Sequence, residues 1–293
     1  MRRAASVTVA VTAALVGAGC GGRAPAPPGP VASAMVAMAA DLGAPPSDVA
    51  DAWREVDAIA NRVETHHRRT GGDWIDDLNA VVFGELGYER EIESGDVRFF
   101  RLSSVIAGRR GSCVGLGALY LVLAERLGIG LDGVMVPGHF FVRSRGGGGR
   151  NVELLRRGEA MPESWYRGKY GPWPAGAEEY LRPLTVAELT AVHWYNAGNH
   201  LRAARDLNGA ALAYARAVAA FPTFAEAHAS LGAVRQLQGA LDAAEAAYGD
   251  AARARADLPG LEHNVALLRR ERQRLSIAPS LSGGTTQERR TVR

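Results

Sequence analysis

The chemistry that this sequence offers begins with Cys113, in the stretch GSCVGLG that leads into an apolar run. Ser112 is a good N-cap residue, which predicts that Cys113 lies in the first turn of a helix. The helix dipole and the free N–H groups of that turn stabilise an anion, so a thiolate there forms more easily and is more reactive. Cys113 is therefore a candidate nucleophile. The alternative is a small buried hydrophobic residue, as most free cysteines are.

A thiol nucleophile needs a base within hydrogen-bond reach and a third group that orients the base. His139 is the candidate base, because it lies at the junction of a turn and an otherwise apolar strand, where a polar group must be satisfied or used. His66 and His67 stand beside two arginines and are predicted to be solvated. The other histidines are predicted to lie on helix surfaces or in helix packing: His193, His200, His228 and His263.

The third group is expected on the strand that follows, where Asn151 and Glu153 are both candidates. They are two residues apart, so they share one face of a strand. His139 shares that face only if the numbers of paired residues sum to an even value, which requires a loop of odd length such as three or five residues. Glu153 also has a second interpretation, an exposed strand residue that pairs with an arginine.

The elements that must position these residues follow from hydrophobic periodicity and turn residues. A helix is predicted from Ser112 to Gly128, apolar nearly all round and therefore buried. Three strands are predicted after it, the last two joined by a glycine-rich hairpin, at 131–136, 139–143 and 151–155. Residues 31–107 are predicted to be mostly helical, with one helix from a Ser47-Asp48 cap to about Val63 and another from Trp74 to Leu86.

The segment 156–183 is rich in aromatic residues and prolines. It is predicted to be a packed linker between domains, with a cleft wall that stacks on substrate as the alternative. Its aromatic residues are Trp165, Tyr166, Tyr170, Trp173 and Tyr180.

The C-terminal region carries an internal repeat of 34 residues, the period of tetratricopeptide repeats, which it resembles. Gly198 and Tyr214, for example, recur as Gly232 and Tyr248. About two and a half copies are too few to bury their own faces, so they are expected to dock on the preceding domain. The repeats imply a protein or peptide partner.

The N-terminus predicts export, because Met1-Arg2-Arg3 precedes an apolar run from Ala4 to Gly19. The run ends at Cys20 and resembles a bacterial lipoprotein signal, which implies lipidation of Cys20 and a membrane anchor. Ordinary secretion with cleavage near Ala24-Pro25-Ala26 is the alternative. If Cys20 is lipidated on a flexible tether, it is a poor disulfide partner, and Cys113 is a lone thiol in an oxidising compartment.

Composition argues against nucleic acid as a partner. The 293 residues carry a formal net charge of +3, and without Arg2 and Arg3 the basic and acidic residues are 32 and 31. No cofactor is expected, and no metal, because no Cys/His cluster has ligand spacing.

The residues 111–121, 124–128 and Pro137-Gly138-His139-Phe140 together resemble the bacterial transglutaminase-like superfamily, in the branch that carries tetratricopeptide repeats. The resemblance implies a papain-like α+β core with Cys113, His139 and Glu153 as its catalytic residues. The superfamily usually has Asp at the position of Glu153, so Asn151 stays a candidate for the orienting role.

The predicted fold class is α+β, a papain- and transglutaminase-like core with leading helices, followed by an all-α repeat segment. The predicted order is a signal peptide (1–19), lipidated cysteine and tether (20–46), transglutaminase-like domain (47–185), repeats (186–275) and a disordered tail (276–293). Two functions are compatible with it. One is an exported thiol enzyme that attacks amides and passes the acyl group to water or an amine. The other is an inactive scaffold that binds proteins through its repeats.

Overall fold

The computed structural model describes residues 28–92, 96–146, 148–173, 177 and 179–277. The predicted signal peptide and Cys20 lie outside the described residues, as does the tail beyond residue 277. In the described part of the chain, no helix combines the length and apolar character needed to cross a lipid bilayer.

Two helices with proline at their starts open the described chain, α1 (Pro30–Asp41) and α2 (Pro46–Thr70). Proline suits the first helical turn because its missing N–H would have no partner there. The α1 start is also capped from a distance, since the Glu125 carboxylate accepts the backbone N–H groups of Val31 and Ala32 at 2.9 and 3.0 Å. The negative charge is favourable at that end of the helix dipole.

These helices correct two expectations. The tether predicted over 20–46 does not extend past residue 29, because α1 buries Ala32, Met35 and Met38 in the main core. The predicted Ser47-Asp48 cap is wrong, because α2 begins at Pro46 and these residues lie inside it. The helix also runs beyond Val63, the last residue of its buried stripe, to Gly71, whose φ of +62° ends it in the left-handed conformation.

The next elements bring the chain to the candidate nucleophile. Helix α3 (Trp74–Asn79) continues as a π-helical turn (Ala80–Glu85), which together cover the helix predicted from Trp74 to Leu86. Strand β1 (Glu89–Arg90) pairs in parallel with β2 (Arg110–Gly111), and a 3₁₀ turn (Val97–Phe99) and helix α4 (Leu102–Gly108) lie between them.

The centre of the domain is one helix packed on one small sheet. Helix α5 (Cys113–Leu127) has Ser112 as N-cap and Gly128 as C-cap, which confirms the prediction for both ends. The antiparallel sheet has the order β3 (Leu131–Val136), β4 (His139–Ser144), β5 (Asn151–Glu153) and β6 (Glu159–Ala160). The third predicted strand is shorter than expected, because a 3₁₀ turn begins at Leu154.

The helix approaches the sheet closely because glycines face the Phe140 ring. A Cβ atom on Gly117 would lie 2.3 Å from that ring, and one on Gly133 would lie 2.7 Å from it. Neither distance is tolerated by a packed core. Gly117 on α5 and Gly133 on β3 therefore allow the Phe140 ring to lie between the helix and the sheet.

The C-terminal segment is all helical. After α6 (Glu163–Tyr170) come α7 (Val186–Ala203), α8 (Leu207–Ala220), α9 (Ala225–Leu237), α10 (Leu241–Ala254) and α11 (Leu261–Ile277). Gly198 receives the Tyr214 ring, and Gly232 receives the Tyr248 ring in the same way, with hypothetical Cβ atoms 2.5 and 2.6 Å from the rings. The two helical hairpins are thus built alike at the spacing of the sequence repeat.

The expected docking of these helices on the preceding domain is confirmed. Ala191, Trp194 and Ala213 belong to the same hydrophobic core as α1, α2 and α5. A buried ionic contact reinforces the junction, because Arg255, the residue directly after α10, pairs with Glu179, 3.0 Å away, and with Glu226.

Replacement of Arg255 by methionine is expected to lower the free energy of unfolding by about 2 kcal/mol, because it leaves buried carboxylates without their cation. The expected loss of unfolding free energy is smaller than the loss at a fully buried ion pair, because the Glu226 side chain is 24% exposed. Arg253→Met is the control, because Arg253 lies in the last turn of α10, two residues before Arg255, in an exposed pair with Asp250. This control substitution should lower the free energy of unfolding by at most about 0.5 kcal/mol. Urea unfolding of both variants checks this, and equal midpoints would contradict it.

Candidate functional site

Cys113 is the first residue of α5 and is half-buried. The Gly115 N–H donates to the Ser112 hydroxyl at 3.3 Å, and the Ser112 N–H donates to the Phe99 carbonyl at 2.7 Å. A Cβ atom on Gly115 would lie 2.1 Å from the Phe99 carbonyl oxygen. The glycines around the cysteine therefore let the 3₁₀ turn pack against the first turn of α5 and fix the position of the sulfur.

His139 lies at the start of β4, directly after the two-residue Pro137-Gly138 turn. Gly138 has a φ of +68°, which glycine adopts without strain at the third position of such a turn. The His139 side chain is only 3% exposed. It is hydrogen-bonded to the Cys113 thiol on one side, and its Nε2 lies 2.7 Å from Glu153 Oε2 on the other. Since Glu153 takes Nε2, the ring presents Nδ1 to the sulfur.

The electrostatics of this cluster favour a protonated imidazole. Burial lowers the pKa of His139, but hydrogen bonds to Cys113 and Glu153 and the negative charges of both partners outweigh burial, so the pKa rises to about 9. At neutral pH an imidazolium beside the sulfur stabilises the thiolate. The arrangement can thus hold a thiolate–imidazolium pair and pass a proton between sulfur and ring.

Glu153 is the residue that the structure brings to His139. Its other oxygen accepts the Leu155 N–H at 3.0 Å, and its side chain is 1% exposed. The alternative interpretation of Glu153 as an exposed residue paired with an arginine is therefore wrong. Asn151 lies on the same strand but is used elsewhere: its oxygen accepts Arg143 Nε at 2.6 Å, and its amide donates to the Met161 carbonyl at 3.0 Å.

The strand register explains why a long side chain reaches His139. Val142 pairs with Val152 and Arg143 with Asn151, so paired residue numbers sum to an even value, and the Ser144 N–H donates to Arg150, which closes a five-residue loop. Continuation of this register places Glu153 opposite Phe141, diagonal to His139. Diagonal neighbours lie roughly 7–8 Å apart at their Cα atoms, a gap that the extra methylene of glutamate helps to span.

Aromatic residues of α6 cover the imidazole. The Tyr170 ring stacks on His139 with centroids 4.6 Å apart and planes 5° apart, while Tyr166 is fully buried against Phe141. Burial, reinforced by the charge of Glu153, raises the pKa of both tyrosines, so they stay protonated. Tyr166 and Tyr180 are buried, as the packed-linker interpretation of the segment 156–183 predicts, while Tyr170 is half-buried beside His139.

Three other histidines differ from, or add to, the expectation. His66 and His67 are not solvated, because they contact the buried Asp77 on α3, with His67 Nδ1 2.8 Å from its carboxylate. His193 on α7 is fully buried. Its Nδ1–H donates to the Leu189 carbonyl at 2.9 Å, and the ring also faces the backbone of Val114, next to the candidate nucleophile. No motif near His193 indicates this contact, which arises only when α7 packs on α5.

His193 makes folding stability depend on pH. Burial outweighs the backbone hydrogen bonds and lowers the pKa of His193 to about 4. An unfolded histidine takes up its proton near pH 6.5, so the unfolded state binds more protons between pH 6.5 and 4. The stability contribution is fully present above pH 6.5 and is lost as the pH falls through about 4, by roughly 3 kcal/mol in all. In His193→Leu we expect urea unfolding at pH 7 and 4.5 to show a smaller loss of stability than in the wild type. An unchanged loss would assign the pH dependence to other groups.

Comparison with known proteins supports a transglutaminase-like domain in this region. Residues 50–191 match the transglutaminase-like superfamily, in the group named Transglut_core2. These residues include Cys113, His139, Asn151 and Glu153, and they end just before His193. The match thus supports a transglutaminase-like domain at residues 50–191.

Curated relatives match a short part of the chain. Two proteins named UPF0162 protein, from Xylella fastidiosa strains Temecula1 and 9a5c, are each 42% identical to it over 67 residues. The match covers 22% of this chain and 24% of each relative, so the chain spans about a quarter of the length of the curated relatives it matches.

Proposed function

We propose that this protein is an exported thiol-dependent acyl-transfer enzyme, with Cys113 as nucleophile, His139 as base and acid, and Glu153 as the group that orients the imidazole. The observation that carries the proposal is the hydrogen-bonded series from the half-buried Cys113 through His139 to the buried Glu153. A nucleophile, its base and an orienting group in contact are the requirements of nucleophilic catalysis.

The reaction follows from these contacts. The Cys113 thiolate attacks an amide carbonyl and a C–S bond forms. The C–N bond then breaks, and the amine leaves with the proton from His139. Water or a second amine, deprotonated by His139, attacks the thioester and releases the thiolate. The Cys113 backbone N–H, free at the start of α5, is placed to stabilise the oxyanion.

The regions outside the core complete the proposal. The two helical hairpins with Gly198–Tyr214 and Gly232–Tyr248 contacts support tetratricopeptide repeats that recruit a protein or peptide. The sequence around Cys20 supports a lipid anchor and hence an exported, membrane-attached protein, with soluble secretion as the alternative. In this arrangement the repeats deliver the substrate to a domain at the membrane surface.

The test is a chromogenic ester, p-nitrophenyl acetate, mixed with the full chain. We expect a burst of nitrophenolate and an acetyl group on the peptide that contains Cys113, identified by mass spectrometry. Cys113→Ala should lose both, while Cys20→Ala should keep both. A wild-type protein without a burst would sink the enzymatic proposal and would favour the inactive scaffold that binds proteins through its helical hairpins.

A further inference from the structure

Lys169 on α6 is the sole lysine of the chain, and it stands at the edge of the candidate site. Its Nζ lies 4.6 Å from the centroid of the Trp165 ring and 5.2 Å from that of Tyr170. Tyr170 is the residue that stacks on His139. The lysine is therefore joined to the imidazole through one aromatic ring.

Two ring distances set an upper limit on the distance between the Lys169 ammonium and the His139 imidazole. The Tyr170 centroid is 4.6 Å from that of His139 and 5.2 Å from Lys169 Nζ, so the ammonium is at most 9.8 Å from the imidazole centroid. An extended peptide advances about 3.3 Å per residue. A group on a bound peptide within about three residues of the attacked carbonyl can thus reach Lys169.

The charge of Lys169 is not used within the described part of the protein. No ion pair joins its ammonium to a carboxylate there; the residue is exposed, and the ammonium lies over the Trp165 and Tyr170 rings. Arg167 on the same helix differs, because its guanidinium is paired with Glu163 at 2.7 Å. A cation held over aromatic faces keeps its charge and its N–H donors available to a further partner.

The three candidate catalytic residues do not themselves attract an acidic ligand. In the thiolate–imidazolium form, Cys113 and Glu153 carry two negative charges against the single positive charge of His139. We propose that Lys169 is a specificity-determining residue that binds a carboxylate of the substrate, either an acidic side chain or a peptide C-terminus close to the attacked carbonyl. This inference rests on the proposed function and names its substrate class.

The test uses two alkylating reagents that share a leaving group and differ in charge, iodoacetate and iodoacetamide. In each reaction the Cys113 sulfur attacks the CH₂ group, a C–S bond forms and iodide leaves. The ratio of the two second-order rates measures the preference for an anion and cancels changes in the intrinsic reactivity of the thiolate. Rates are followed on the full chain, with the label located at Cys113 by mass spectrometry.

We expect Lys169→Met to lower the iodoacetate-to-iodoacetamide ratio about threefold to tenfold, the effect of one charge at this distance. Lys169→Arg should keep most of the preference, and 1 M NaCl should abolish the difference between wild type and Lys169→Met. Arg167→Met is the matched control and should leave the ratio unchanged. An unchanged ratio in Lys169→Met overturns the inference while the proposed function stands. A Cys113 that reacts with neither reagent overturns both.

Discussion

Replacement of His139 by alanine is expected to slow the alkylation of Cys113 by iodoacetamide about a hundredfold at pH 6.5. In the wild type the imidazole stays protonated up to about pH 9, and an imidazolium beside a sulfur stabilises a thiolate. A free cysteine thiol has a pKa of about 8.5 and is about 1% thiolate two pH units lower, which sets the expected size of the loss when the ring is removed. The rate of the variant should therefore rise steeply with pH, while that of the wild type stays nearly flat.

The control for this measurement is His263→Ala, which removes an exposed histidine on α11 and should leave the rate profile unchanged. Circular dichroism at each pH verifies that the His139→Ala variant is folded. If the variant and the wild type show the same profile, the sulfur and the imidazole do not form an ion pair, and the position of Cys113 serves packing alone.

Replacement of Glu153 is expected to slow the alkylation of Cys113 by iodoacetamide at pH 6.5 tenfold to a hundredfold. Burial alone lowers the pKa of His139, and the hydrogen bonds and charges of Cys113 and Glu153 raise it to about 9. In Glu153→Gln one of the two charges is gone, so the ring loses its proton more easily and the thiolate loses its counter-ion. Alkylation at pH 6.5, together with the histidine C2–H shift against pH by NMR, measures both effects.

Two companion variants separate the candidates for the orienting role. The alkylation rate of Asn151→Ala should stay within about twofold of the wild-type rate, because the Asn151 amide contacts Arg143 and Met161. The alkylation rate of Glu153→Asp should be about tenfold lower although this variant keeps the charge. Its side chain is shorter by one methylene and does not hold the 2.7 Å contact to His139 from the diagonal position. A large loss in Asn151→Ala with little change in Glu153→Gln would reverse the assignment.

The sequence alone predicted the elements that hold Cys113 and His139, because short-range signals define the ends of these elements. Ser112 and Gly128 are helix-end signals and Pro137-Gly138 is a turn signal, so both ends of α5 and the turn before His139 follow from the sequence, while the pairing of β3 with β4 comes from the structure. The choice between Asn151 and Glu153 did not follow, because it depends on the loop length and on the diagonal geometry of the sheet. Four glycines in a hairpin permit several lengths.

The rest of the site required tertiary contacts that no local pattern contains. His193 reaches the first turn of α5 only because α7 packs there, and Tyr170 reaches His139 only because α6 folds back over the sheet. The start of α2 at Pro46 was missed for a different reason. A proline in the first turn can begin a helix without any side-chain cap, whereas the usual preference for a capping side chain points to Ser47.

The carboxylate of Glu125 that caps α1 decides from which end of the domain the upstream chain departs. Glu125 lies twelve residues after Cys113 on one straight helix, so the start of α1 and the nucleophile are separated by about 18 Å along the axis of α5. Whatever precedes residue 28 is therefore attached near the end of α5 that lies away from the sulfur. A surface that held this end would be separated from Cys113 by most of the length of α5.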